Sequence, residues 1–224
     1  AIPSTTRECT LLSAEHGFNK DFQPMDSSGY CEVYTNPLAK GACVSDSGDY
    51  SGEKNCIFTE KGICDSEFHE GLLCTSPGLG TLCVPSKETS CIEGKDQIYF
   101  LDSCGNQANV YDSSKIDDDS YWDRIIDLKA SCSSPSADCG NCDYATGSIC
   151  SPKNVTDIQP THGDNVCLDL NCDNGRIHGE SWCVYDYNTN KIAPVGSRSF
   201  MSKCLEGETY LEGCADFNQE ICIQ

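Results

Sequence analysis

Bases are scarce in this chain: 15 Lys and Arg stand against 35 Asp and Glu, for a formal net charge of −20. A phosphate backbone or an anionic lipid surface is held by a basic patch, so nucleic acid and such membranes are poor partners. Long apolar runs are also missing. The longest are only a few residues, such as "IYFL" at 98–101, whereas a helical bilayer span needs about 20. No direct membrane span is expected. Apolar residues make up 38% of the 224, with the cysteines among them. That supply is too thin for one large oily core. Catalytic signatures are missing as well. His16, His69, His162 and His178 form no H-x-x-x-H pair, and "GESWC" at 179–183 fails the last position of a nucleophile elbow. Acidic residues are so abundant that no glycosidase pair stands out.

Cysteine is what the chain has. Its 19 cysteines are about 8.5% of the residues, within the range of a disulfide scaffold. They are Cys9, Cys31, Cys43, Cys56, Cys64, Cys74, Cys83, Cys91, Cys104, Cys132, Cys139, Cys142, Cys150, Cys167, Cys172, Cys183, Cys204, Cys214 and Cys222. The odd count leaves one unpaired or bonded between chains, and nine bridges within the chain are expected. Each bridge restricts the unfolded chain, typically stabilising by about 2–4 kcal/mol. The chemistry requires an oxidising compartment, extracellular or at the cell surface. The start "AIPSTTREC" fits a chain from which a signal peptide has been removed.

Spacings of roughly ten residues between cysteines, with Gly, Ser, Asp and Pro between, indicate short strands and turns. The expected fold is mainly β, with disulfide-rich small modules of short antiparallel strands and hairpins. One short helix is expected near 119–130. Asp117 to Ser120 offer N-cap oxygens, and Trp122, Ile125, Ile126 and Lys129 recur at helical spacing. A soft boundary at "SSPSAD" (133–138) divides the chain into 1–134, ending in a hairpin and helix, and 135–224, ending in a stapled hairpin. One element is written twice. "SCIEGKDQIYFLDSC" (90–104) and "KCLEGETYLEGC" (203–214) each read as a hairpin bracketed by cysteines, the second turning at Gly207-Glu208 in type II′ geometry. A further strand–turn–strand is expected around Asn188-Thr189-Asn190.

Few strings suggest chemistry. "CGNC" (139–142) follows a Ser/Pro linker, not a strand, so it reads as one loop disulfide or two separate bridges and not as a redox or zinc site. In "DLNCDNGRIHGE", Asp169, Asn171, Asp173 and Glu180 fall at positions 1, 3, 5 and 12 of a calcium loop. Asn174 replaces the usual Gly at position 6, Arg176 the usual aliphatic at position 8, and Cys172 interrupts. A disulfide-anchored loop competes with calcium here, and no other cofactor is expected. The acids of "DDD" (117–119) already have a role at a helix start. "NVT" at 154–156 makes Asn154 the single N-glycosylation sequon.

"DSCGNQANVYDSSK…DDDSYW", "CGNCDYATGSIC", "VCLDLNC", "GESWCVYD" and "VGSRSFMSKCLEGETYLEGCADFNQEIC" resemble recurring pieces of large cysteine-rich surface proteins. Those proteins occur in small-genome archaea of the Woesearchaeota and Pacearchaeota type. The resemblance covers roughly residues 90–224. It implies an exported archaeal surface protein and supplies neither an activity nor catalytic residues.

The combined expectation is a non-enzymatic structural subunit of an extracellular filament or cell-surface layer. An adhesin or glycan-binding ectodomain would instead present an aromatic, acid-lined groove. A secreted hydrolase would need a deep pocket with converging acid, base or metal ligands. For the structural reading the partner is a second copy of the chain. Residues 1–8, ahead of the first cysteine bridge, are expected to contact a neighbouring subunit head-to-tail, as an extended arm adding to a sheet edge.

Overall fold

The computed structural model describes residues 36–46, 53–132, 135–185 and 198–214. The arm at 1–8, Cys9, Cys31, Cys222 and the turn at Asn188-Thr189-Asn190 lie outside the described residues. The chain divides into two compact units, Ala1–Leu82 and Cys83–Gln224.

In the first unit β1 (Lys40–Asp46) runs between β2 (Lys54–Glu60) and β3 (Glu67–Glu70), antiparallel to both. Alternation along β1 puts Ala42 and Val44 on one buried face, where Val44 meets Cys56 across the ladder. Cys56–Cys74 seals that side, with Leu73 and Leu79 buried near it, and Cys43–Cys64 ties the other face. So few apolar groups make a shallow core, and the two bridges supply the long-range constraint.

The described residues of the second unit form three small sheets. The first is β4 (Pro85–Cys91), β5 (Ile98–Asp102) and β6 (Gln107–Val110), antiparallel in that order. β7 (Ser148–Pro152) pairs with β8 (Asn165–Asp169). β10 (Ser199–Leu205) lies between β9 (Ser181–Tyr185) and β11 (Glu208–Gly213). The mainly β expectation therefore holds, and so do both antiparallel hairpins. Their staples do not close on themselves. Cys91 bonds Cys150, Cys104 bonds Cys83, and Cys204 bonds Cys172, while Cys214 carries a free thiol. Each hairpin is bolted to a different part of the chain.

The Cys91–Cys150 bridge also joins segments on either side of position 134. It ties β4 to β7 across that point, and Thr89 Oγ1 hydrogen-bonds Asn165 Oδ1 at 3.0 Å on β8. All three strands belong to the unit Cys83–Gln224.

The core of this unit is aromatic. Phe100 contacts Tyr111 edge-on with ring centroids 5.2 Å apart, and lies 5.1 Å from Trp122. All three are buried. Trp122 comes from α1 (Asp119–Asp123), the expected helix, which is much shorter than 119–130. Its start follows the sequence signal: Asp118 caps it by accepting from the Ser120 N–H. Its early end has a cause in Asn109, a buried residue on β6. The Asn109 amide donates to the carbonyls of Tyr121 (2.6 Å) and Arg124 (2.9 Å), while its oxygen accepts from the Ile126 N–H (2.9 Å). Those backbone groups are satisfied without another helical turn, and Arg124 is extended. Of the three expected core residues only Trp122 is buried. Ile126 is half-buried and Ile125 exposed.

Candidate functional site

The "DLNCDNGRIHGE" loop leaves β8 and closes on the β10–β11 hairpin. Cys172–Cys204 pins its first half to β10. Its second half pairs backbone to backbone: the Gly179 N–H donates to Cys204 O (2.8 Å), and the Cys204 N–H donates to Glu180 O (2.9 Å). The hairpin turn docks through the Gly207 N–H on Leu170 O (2.8 Å). The two turn residues are Glu206 and Gly207, with φ of 52° and 83°. Left-handed backbone at both central positions is the type I′ pattern, so the turn sits one residue earlier than the type II′ placement at Gly207-Glu208.

Three of the four calcium candidates serve this loop itself. Asp169 Oδ1 accepts from the Asn171 N–H (2.9 Å), and Asn171 Oδ1 accepts from the His178 N–H (2.8 Å). Glu180 forms an ion pair with Arg176 and accepts from the Ile177 N–H (3.2 Å). The Arg176 hydrogen bond and charge hold the Glu180 carboxyl below the ordinary glutamate range. Asp173 is exposed. Among the described residues Asp169, Asp173 and Glu180 do not gather into one cluster of ligand atoms. The one close cluster there, Cys83, Asp102 and Cys104, includes two sulfurs already joined in a disulfide. The calcium register is thus present in sequence, but Arg176 at position 8 turns the position-12 carboxylate toward itself.

Beside the loop sits a polar cluster not singled out in the sequence. Tyr144 packs edge-on against His178, centroids 4.5 Å apart, and its hydroxyl donates to Glu206 Oε1 (3.2 Å). Desolvation first, then the Glu206 carboxylate, raises the Tyr144 pKa above the ordinary phenol value. His178 Nδ1 accepts the Glu206 N–H (3.1 Å), which requires an unprotonated nitrogen at that position. The Tyr144 N–H reaches Asp96 Oδ2 (3.0 Å), in the turn of the first hairpin. These groups join both repeated hairpins to the 143–147 turn and the disulfide loop. Their geometry makes a clamp. The available signal was the repeated Glu-Gly pair, Glu93-Gly94 and Glu206-Gly207, where Gly94 is also left-handed at 75°.

The other candidates are readily placed. Cys139 bonds Cys132 and Cys142 bonds Cys167, so "CGNC" forms two separate bridges. Gly140 between them donates to Tyr111 O (2.7 Å) and accepts from the Ile98 N–H (2.9 Å), packed against the aromatic core. Of the "DDD" acids, Asp118 is the helix cap described above. Asn154 is exposed in a short 3-10 turn, Lys153–Val155. Cys183 is disulfide-bonded as well.

Seven bridges between described cysteines require an oxidising environment, which fits an extracellular protein. No helix among the described residues is long and apolar enough to cross a membrane. The chain matches no protein-family model, no curated protein and no solved structure.

Proposed function

We propose that this chain is a non-enzymatic structural subunit of an extracellular filament or cell-surface layer, with the disulfides taking the place of a large core. The observation that carries the reading is the construction of the second unit. Sheets of two or three strands are tied to one another by bridges, and β11 offers a whole strand, exposed along all six residues, at the edge of its sheet among the described residues. Open edges are templates for pairing with another chain. The resemblance to archaeal surface proteins over residues 90–224 supports the same reading, and Asn154 is the position where such a subunit would carry a glycan.

Growth requires a contact that does not close on itself, and residues 1–8 supply it by reaching a neighbouring subunit head-to-tail. Deleting residues 1–6 should abolish elongated assembly and leave a folded, soluble protein with its disulfides intact. If the truncated protein assembles like the parent, the arm has no such role. A monodisperse parent protein that binds glycans would favour the adhesin instead.

A further inference from the structure

We infer that β11 is a self-complementary edge which pairs antiparallel with β11 of a second copy, about a two-fold axis at Leu211. The inference rests on the self-association in the reading above, but it names a contact separate from the arm.

Three features select this register. The first is the direction of the backbone groups. Leu205 pairs with Glu208 across the two-residue turn. In an antiparallel ladder alternate residues exchange hydrogen bonds. Glu208, Tyr210 and Glu212 therefore turn their backbone groups toward β10, and Thr209, Leu211 and Gly213 turn theirs outward. The second feature is apolar exposure. Leu211 is 59% and Tyr210 51% exposed, the two large side chains at the middle of the strand.

The third is charge. A two-fold axis normal to the sheet sets a residue opposite itself and pairs its neighbours symmetrically. Centred on Leu211, it puts Leu211 against Leu211, Thr209 against Gly213, Tyr210 against Glu212 and Glu208 against Cys214. The outward-facing residues then meet one another, and no glutamate faces a glutamate. Centring on Tyr210 sets Glu208 against Glu212 twice, and centring on Glu212 sets it against itself. Like charges directly opposite are destabilising. Glu212 is also held by Lys203, with Nζ to Oε2 2.8 Å, on the face it shares with Tyr210. The net charge of −20 makes avoiding further acid–acid contact all the more important for two copies.

Sedimentation velocity on the full, disulfide-intact chain over a wide concentration range tests the contact, with non-reducing electrophoresis to identify covalent dimers. The wild type should associate reversibly in even steps. Leu211→Pro removes only an outward N–H from an edge strand, a place where proline is tolerated. It should raise the dimer dissociation constant at least about tenfold with the disulfide count unchanged. Should that variant misfold, Leu211→Lys replaces it, since it sets two lysines face to face across the axis. Leu211→Cys discriminates the register: the two substituted thiols face each other across the axis and should oxidise to a covalent dimer seen by non-reducing electrophoresis, whereas in the Tyr210-centred register position 211 faces Thr209 and no such bond forms. Association unchanged in Leu211→Pro, or no covalent dimer from oxidised Leu211→Cys beyond that of wild type, overturns the inference. If assembly in those variants still depends on residues 1–6, the structural-subunit reading survives the loss. A wild type that stays monomeric throughout overturns both.

Discussion

Asn109 and Glu180 show how single polar side chains shape this molecule. Asn109 satisfies two carbonyls and one N–H that would otherwise end α1 unpaired. Asn109→Ala should destabilise the second unit by about 1–3 kcal/mol for each buried group left without a partner. Urea titration of the disulfide-intact protein checks this, and a midpoint unchanged from wild type would contradict it. Glu180 provides a pH test. Its carboxyl is depressed by Arg176, so the stabilisation it gives is fully present above the unfolded glutamate value of about 4.3 and is lost as pH falls through the lower folded value. The Ile177 amide, which donates to this carboxylate, should titrate by NMR with a midpoint below that unfolded value. Arg176→Gln should move the midpoint upward. Neither role is legible in the sequence. A calcium register counts positions along the chain, whereas the direction of the Glu180 carboxylate depends on Arg176 four residues earlier and on the loop closing over β10.

At the scale of elements, local patterns were readable and their partners were not. The alternation of "QIYFLD" and the Glu-Gly turns specify the two hairpins, because strand and turn preferences act over a few residues. The helix signal at 117–130 was also local. Its cap forms as expected, but its length is cut by Asn109, ten residues before Asp119 and on strand β6. Gly140 is a comparable case, ordinary in sequence and tightly enclosed in the fold. A Cβ there would lie 2.7 Å from Ile98 Cβ, 2.8 Å from Tyr111 Cβ and 2.9 Å from Ile98 O. Two of these atoms are fixed at the root of core side chains and the third belongs to the backbone, so none can swing aside. Gly140→Ala should therefore cost about 1–3 kcal/mol, the usual range for overpacking. A thermal midpoint equal to wild type would show that the enclosure is looser than this.

For the whole molecule, nineteen cysteines announce a scaffold, but sequence order does not reveal its wiring. Adjacent cysteines such as Cys139 and Cys142 go to different partners, and hairpin neighbours Cys91 and Cys104 do the same. The pairing depends on which segments the fold brings together, as where Cys91 on β4 meets Cys150 on β7. Intact mass before and after reduction should show a gain of eighteen protons if nine bridges form, leaving one thiol; alkylation of the native protein should label Cys214. A much smaller gain would contradict the scaffold. In the proposed assembly, copies of a thin-cored, cross-linked chain complete one another. Electron microscopy of the concentrated, oxidised protein is the direct check: filaments or a lattice with a regular subunit repeat are expected, and a field of dispersed single particles at every concentration would rule the assembly out.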